Sequence, residues 1–233
     1  EFRRVLFRSK TTQYCDPANG IDRYAFSLLR CPSEQQPFNA NGLNNLTYNL
    51  GDYQRPTYRT PLGLTFQQIT DGMSKTMLFS ERIISRNGVT DPKVAWFYVA
   101  NYNNYSLLQS CYDAIGGTPG TGTVGGNWMA GGSTTNPFVN GFLAHTPPNG
   151  PRCSGQSDSN NGPAYTRPPA SSYHPGGVNV AMCDGSVAWT SETIDCGRLA
   201  NGSLPGGAST GASPYGIWGA LATPASGESR QLP

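Results

Sequence analysis

Residues 171–190 constrain the fold more than any other stretch of the sequence. Within them, residues 178–183 alternate large apolar side chains with smaller or polar ones, which is the two-residue period of a half-buried strand. A second β-prone run, residues 187–190, follows after Asp184 and Gly185. Asp-Gly is a strong hairpin signal because glycine, and to a lesser degree aspartate, tolerates the positive φ of a tight turn. The stretch therefore predicts a β-hairpin.

The segment that leads into this hairpin consists of His174, Pro175, Gly176 and Gly177. Proline fixes φ and lacks an N–H donor, while the glycines free the backbone to enter the sheet. A histidine held by a carboxylate can act as a base, so His174 and Asp184 could form a catalytic pair or half of a metal site. No nucleophile elbow and no full ligand set accompanies them. The sequence favours a structural role, in which Asp184 makes the turn and His174 hydrogen-bonds across the hairpin base.

Four segments along the chain together carry a resemblance to a known family. They are a Cys-Pro-Ser run at residues 29–33, a Thr-Asp-Gly run at residues 69–78 with Glu81 after it, an H-x(9)-D-G run at residues 174–185 and a Trp-x-Ala-Leu run at residues 215–221. The second run matches at Thr70, Asp71, Gly72, Ser74 and Thr76. In this order the segments resemble the bacterial prepilin-type processing-associated family, a group of pseudopilin-like proteins of unknown molecular role.

The resemblance implies an α+β, mainly β fold, with a pseudopilin-like head, an antiparallel sheet and long loops held by disulfides. Such proteins carry a processing site and a long apolar helix just upstream of the point where this sequence begins, so the resemblance implies a truncated N-terminal helix. It also implies a non-catalytic subunit of a pilus-like filament or type II secretion-like pseudopilus, exported to the cell surface, the extracellular space or the periplasm. Its partners would be copies of itself, and it would contact a membrane only through the missing helix.

Composition predicts one domain over residues 10–233. The chain has 29 glycines, 19 prolines and 11% aromatic residues, a combination that suits a loop-rich β protein. Residues 1–9 differ abruptly in composition and begin with Glu-Phe, which a common cloning site encodes, so we interpret them as a cloning or adapter remnant; a genuine basic arm is the alternative. A net charge of +2 without clustered Lys and Arg argues against nucleic-acid binding.

Strands are predicted at residues 46–50, 77–84 and 94–100, and the last two are expected to form a hairpin. Together with the hairpin at residues 178–190, these strands predict an antiparallel sheet. Residues 101–169 are rich in Asn, Gly, Ser, Thr and Pro and predict a loop-rich insertion, exposed on one side. Its isolated aromatic residues support an alternative function, a secreted module that binds a glycan or peptide. A hydrolase that uses His174 and Asp184 is a third hypothesis.

Six cysteines with wide spacing and no C-x-x-C pair predict three disulfides in an oxidising compartment. The pairing that closes local loops is Cys15 with Cys31, Cys111 with Cys153, and Cys183 with Cys196. Fifteen connectivities are possible for six cysteines, and free thiols in a cytosolic protein are the alternative.

The sequence predicts no metal site and no cofactor. Its two histidines, His145 in the insertion and His174, are few for a zinc enzyme, and we expect His145 to be an exposed loop residue. Asp-Gly turns offer oxygen ligands for Ca²⁺, although no EF-hand spacing occurs. Asn45, Asn104 and Asn201 match the N-glycosylation pattern, which arises easily by chance in a chain rich in Asn and Ser.

Overall fold

A computed structural model of the chain describes residues 27–35, 43–52, 64–84, 90–91, 93–98, 108–113, 115, 126–127, 141–154, 168–197 and 212–227. Within these ranges the strands are β1 (Leu43–Asn44), β2 (Leu46–Asn49), β3 (Met77–Glu81), β4 (Trp96–Tyr98), β5 (Gly126–Asn127), β6 (Gly141–Phe142), β7 (Arg152–Ser154), β8 (Gly177–Met182) and β9 (Val187–Ser191). The α-helices are α1 (Leu108–Asp113) and α2 (Gly216–Ala222), and single 3-10 turns lie at Ser27–Leu29, Phe66–Gln68 and Met73–Lys75. No helix in these ranges combines the length and the apolar character needed to span a bilayer.

The largest sheet has five strands in the order β6-β2-β3-β8-β9. The β2–β3, β3–β8 and β8–β9 pairs are antiparallel, and the β2–β6 pair is parallel. The prediction of a mainly β chain is therefore confirmed, whereas the prediction of an antiparallel sheet is wrong at the β6 edge. There the inserted region returns to the sheet and lays a two-residue strand alongside β2 in the same direction.

The predicted hairpin of residues 178–190 is confirmed as β8 and β9. The Gly185 N–H donates to the Met182 carbonyl at 3.0 Å, and the Met182 N–H donates to the Ser186 carbonyl at 2.8 Å. Gly185 has a φ of 86°, as a three-residue hairpin loop with a bulge requires. Asp184 Oδ1 accepts hydrogen bonds from the Ser186 N–H and hydroxyl, at 2.9 and 2.6 Å. Asp184 thus has the predicted role of making the turn.

The predicted hairpin between residues 77–84 and 94–100 is wrong. Strand β3 already has β2 on one side and β8 on the other, so it has no free edge for β4. Strand β4 instead pairs in parallel with β7, in a separate two-stranded sheet with Phe97 fully buried. The local sequence identified the strand correctly but carried no signal for its partner.

The core lies on the face of the large sheet that α2 covers. Trp218 of α2 is fully buried and stacks on Phe142, with ring centroids 5.8 Å apart. It packs with the inward side chains of β8, Val178, Val180 and Met182. The amide of Asn49 donates to the Met77 and Ala222 carbonyls at 2.9 and 2.8 Å and so ties the end of α2 to the sheet. Residues 215–221, which carry the Trp-x-Ala-Leu run, therefore pack back on the large sheet.

The predicted disulfide between Cys111 and Cys153 is confirmed, with the Cα atoms 5.6 Å apart. The expectation that the insertion at residues 101–169 is exposed on one side is wrong for residues 141–153, which are almost entirely buried. His145 lies in this part and is 1% exposed. Its Nε2 bonds the Asp52 carbonyl at 2.9 Å, so the expectation of an exposed loop histidine is also wrong.

The other described cysteines, Cys31, Cys183 and Cys196, carry free thiols. The predicted pairing of Cys183 with Cys196 is wrong because Cys183 follows β8 at the turn, whereas Cys196 follows β9 at the opposite end of the hairpin. Burial and the nearby Asp195 carboxylate raise the pKa of Cys196 to about 12, so its thiol is unreactive near neutral pH. The predicted pairing of Cys31 with Cys15 is not formed, and Cys15 itself lies outside the described residues.

We expect Gly177→Ala to lower the free energy of unfolding by about 3 kcal/mol, because a Cβ there would lie 2.1 Å from the Thr190 carbonyl oxygen on β9. The neighbouring Gly176 has a φ of 84° and open space around its missing Cβ. Gly176→Ala should therefore cost only the backbone strain, about 1 kcal/mol. Urea unfolding of the two variants measures the difference, and equal losses would show that the contact between β8 and β9 is looser than described.

Candidate functional site

Three polar side chains from distant parts of the sequence meet beside the N-terminal end of β8. Cys31 Sγ lies 3.4 Å from His174 Nε2, and Glu81 Oε1 lies 3.3 Å from the same nitrogen. All three candidate ligand atoms lie within 4.8 Å of one another. We call Cys31, Glu81 and His174 the signature cluster, because each lies in or next to a segment that carries the resemblance described above.

Glu81 enters the cluster from the last position of β3. Its Oε2 accepts the Asn179 backbone N–H at 2.9 Å, and its Oε1 accepts the Asn179 side-chain amide at 3.2 Å. Two donors from β8 therefore hold both oxygens of this carboxylate. These two hydrogen bonds fix the orientation of the carboxylate, and the Glu81 side chain is only 20% exposed.

His174 is positioned by the turn before β8. The backbone N–H of His174 donates to Ser172 Oγ at 3.1 Å, and the Ser172 hydroxyl donates to the Gly177 carbonyl at 2.7 Å. The imidazole lies edge-on to the Trp189 ring, at 6.2 Å between centroids. The expectation that His174 hydrogen-bonds across the base of the hairpin is wrong in its partners. His174 lies at that base, but its ring contacts Glu81 and Cys31, which come from outside the hairpin.

Cys31 is held through Asn45. The Cys31 N–H donates to Asn45 Oδ1 at 2.9 Å, and the Asn45 amide donates to the Arg82 carbonyl at 2.8 Å and to Glu34 Oε2. Asn45 is 5% exposed and its amide is fully used in these bonds, so this candidate glycosylation site is closed in the folded chain. The other two candidates, Asn104 and Asn201, lie outside the described residues.

A small cavity of about 10 Å³, about the room of one water molecule, lies behind the cluster and is lined in part by Arg82. Burial, with repulsion from Arg152, lowers the pKa of Arg82 well below its usual range. Burial also lowers the pKa of Arg152 to about 10, and attraction to Glu34 opposes this shift. Glu34 therefore offsets part of the cost of burying positive charge beneath the cluster.

The geometry of the cluster does not fit a histidine that activates a nucleophile. In such triads the nucleophile and the orienting carboxylate lie on different ring nitrogens. Here Cys31 Sγ and Glu81 Oε1 both lie beside Nε2 of His174. Three potential ligand atoms that converge on one point suit a shared proton or a bound cation.

The predicted pair of His174 and Asp184 is not brought together. The two residues flank β8, a six-residue strand roughly 20 Å long. Asp184 is exposed, and its hydrogen bonds to Ser186 hold its pKa below the usual range. The sequence spacing of these residues thus reflects the length of the strand.

The Thr-Asp-Gly motif anchors the C-terminal segment to the sheet. Asp71 accepts the backbone N–H groups of Ser226 and Gly227, at 2.7 and 3.0 Å. Gly72 has a φ of 105°, and its carbonyl accepts the Thr76 hydroxyl at 3.1 Å. Thr70 and Ser74 are exposed. The motif is a turn, as expected, and within the described residues it contributes no ligand to the signature cluster.

A protein-family model described as "Protein of unknown function (DUF1559)" matches residues 7–197. The chain belongs to the DUF1559 family. The match includes all three residues of the signature cluster and ends before α2. Comparisons of this DUF1559 protein with curated proteins and with solved structures gave no match.

Sequence reasoning missed the signature cluster in this DUF1559 chain. Cys31 was assigned to a disulfide, and Glu81 was noted only as the residue that follows the Thr-Asp-Gly run. A signal was present: three of the four segments that carry the resemblance contain or adjoin a Cys, Glu or His. Their convergence on one site could be seen only in the fold.

Proposed function

We propose that this chain is the globular head of a non-catalytic structural subunit, exported and assembled with copies of itself into a pilus-like filament or type II secretion-like pseudopilus. The observation that supports this proposal best is the exposed outer edge of the large sheet, formed by β9. The resemblance of the four sequence segments to prepilin-type proteins is consistent with it.

The backbone of β9 has donors and acceptors that face away from the sheet. Met182 and Glu192 form backbone bonds to Ser186 and Gly176, respectively, across the β8–β9 pair. Antiparallel strands alternate between residues bonded to the neighbour and residues that face outward. The N–H and C=O groups of Val187 and Trp189 and the N–H of Ser191 therefore face the outer edge, and no described residue pairs with them. The Ser191 carbonyl accepts the Ile194 N–H at 3.2 Å.

The side chains of β9 leave this edge unprotected. Natural edge strands avoid aggregation with lysine, proline or a bulge. Strand β9 reads Val-Ala-Trp-Thr-Ser, with no charge and no proline. Val187 is 69% exposed and Trp189 is 47% exposed. An edge of this kind favours pairing with an identical, equally uncharged strand from a second copy.

The face of the sheet opposite α2 adds apolar surface next to this edge. The strand registers place Tyr48, Phe79, Ala181 and Val187 in one row across β2, β3, β8 and β9. All four are partly or fully exposed. Contiguous apolar surface of this kind is typical of protein contacts.

The disulfide between Cys111 and Cys153 supports export, because such bonds persist mainly in oxidising compartments.

No specific observation favours the two alternative functions, a module that binds a glycan or peptide and a hydrolase. Phe142, one of the aromatic residues of the inserted region, is buried in the core, and Trp128 lies outside the described residues. The hydrolase hypothesis required a pairing of His174 with Asp184 that the fold does not make.

We expect Trp189→Lys to abolish assembly without unfolding the head, because a charge at the centre of β9 opposes strand pairing. The test is electron microscopy and analytical ultracentrifugation of the protein expressed from its complete gene. Phe66→Lys is the matched control, since Phe66 is 74% exposed and lies on a 3-10 turn outside β9. Monodisperse monomers from the unmodified, processed protein would contradict the proposed function. Filaments that persist in Trp189→Lys would contradict the role of β9 alone.

A further inference from the structure

We propose that Cys31, Glu81 and His174 bind one divalent transition-metal ion, of the class of Zn²⁺, through Sγ, Oε1 and Nε2. The inference does not depend on the proposed assembly. It assigns to the signature cluster a ligand that would join three segments of the fold.

The distances within the cluster support a shared ion. Zinc ligands at bond lengths of about 2.0–2.3 Å in a tetrahedral site lie roughly 3.3–3.6 Å from one another. The distances from His174 Nε2 to Cys31 Sγ and to Glu81 Oε1 are 3.4 and 3.3 Å. Two edges of such a tetrahedron are therefore already present in the fold.

Each ligand is also held by a neighbour, as ligands in metal sites usually are. Asn179 bonds both carboxylate oxygens of Glu81, and Asn45 accepts the backbone N–H of Cys31. Ser172 accepts the backbone N–H of His174. The supports come from β8, from between β1 and β2, and from the loop before β8, so segments from distant parts of the sequence hold the ligands.

The chemistry of the three ligands selects the class of metal. Thiolate and imidazole are ligands for borderline and soft ions, and they exclude Ca²⁺ and Mg²⁺, which take oxygen ligands. Binding displaces the thiol proton of Cys31 and uses the lone pair on His174 Nε2, so that Nδ1 keeps the ring proton. Three protein ligands with partly exposed side chains leave a fourth position for water or an incoming group.

The ion would act as a clamp. Cys31 and His174 are 143 residues apart, and Glu81, which lies between them in the sequence, is at the end of β3, the strand that pairs with β8. A metal that binds only the folded chain raises the folding equilibrium constant about 100-fold at 100 times its dissociation constant. It would also account for a free, half-buried thiol at Cys31 in a chain that has a disulfide elsewhere.

The test uses the whole chain with its disulfide intact, stripped of metal with a chelator and titrated with zinc alone against a chromogenic competitor. We expect one zinc per chain. Cobalt in place of zinc should give a thiolate-to-metal charge-transfer band and the visible spectrum of a tetrahedral site. Cys31→Ser should abolish that band, and Glu81→Gln and His174→Asn should each weaken zinc binding by more than about 100-fold.

Cys183→Ser is the matched control, because Cys183 is the other half-buried free thiol of the described residues. It should keep the band and the affinity of the unmodified chain. Near-ultraviolet circular dichroism without metal checks that each variant is folded. Zinc binding by the unmodified chain tests the proposal without any substitution. The proposal is overturned if the unmodified chain binds no stoichiometric zinc or if the cobalt band survives Cys31→Ser. The cluster would then be a hydrogen-bonded network only.

Discussion

Trp218→Ala should lower the free energy of unfolding by about 3–5 kcal/mol, because it removes a fully buried indole and leaves a cavity against Phe142 and the inner face of β8. A loss of this size is a large share of the stability of an ordinary domain. Urea denaturation measures it as a lower midpoint with an unchanged slope.

Trp189→Ala is the matched control, since it makes the same chemical change at a position that is 47% exposed on β9. We expect it to cost no more than about 1 kcal/mol. Similar losses from the two tryptophans would mean that α2 does not cover the core as described.

Replacing both Cys111 and Cys153 with Ser should lower the free energy of unfolding by about 4 kcal/mol. The bond closes a loop with a sequence separation of 42, and the estimate is the chain entropy that such a loop removes from the unfolded state. Thermal and urea unfolding of the double variant measure the loss.

Cys183→Ser, which removes a free thiol, should leave this stability nearly unchanged. A reducing agent should destabilise the unmodified chain to the level of the double variant and leave the double variant unaffected. Equal stability of the unmodified chain with and without reductant would contradict the predicted contribution of the disulfide.

The parts of the fold that were predictable depend on short-range signals. Residues 177–191 combine a two-residue alternation with an Asp-Gly turn, so the strands and their connection follow from contiguous sequence. The partner of β4 was not predictable in this way. It depends on which strand edges remain free after β2, β3 and β8 have paired, and no local pattern of residues 94–100 contains that information.

The signature cluster shows the same limit in its chemistry. The importance of His174 was evident from its place before the hairpin, but the sequence offered only nearby partners, across the hairpin base or, in the catalytic alternative, Asp184. In the fold, Glu81 on β3 is the nearer carboxylate because Asn179 on β8 bonds it directly. The burial of Asn45 and His145 was missed for a similar reason, since both are polar residues whose partners come from other elements.

The one long uncovered edge of the described sheet limits how far strand pairing can extend an assembly. At the opposite end β6 has only two residues, and both are buried. If two copies join through antiparallel β9 strands, the same surface of each copy forms the contact. Neither copy can then pair with a third molecule through β9. A polymer would then grow from dimers, and it would need a second, geometrically different contact to add each new dimer.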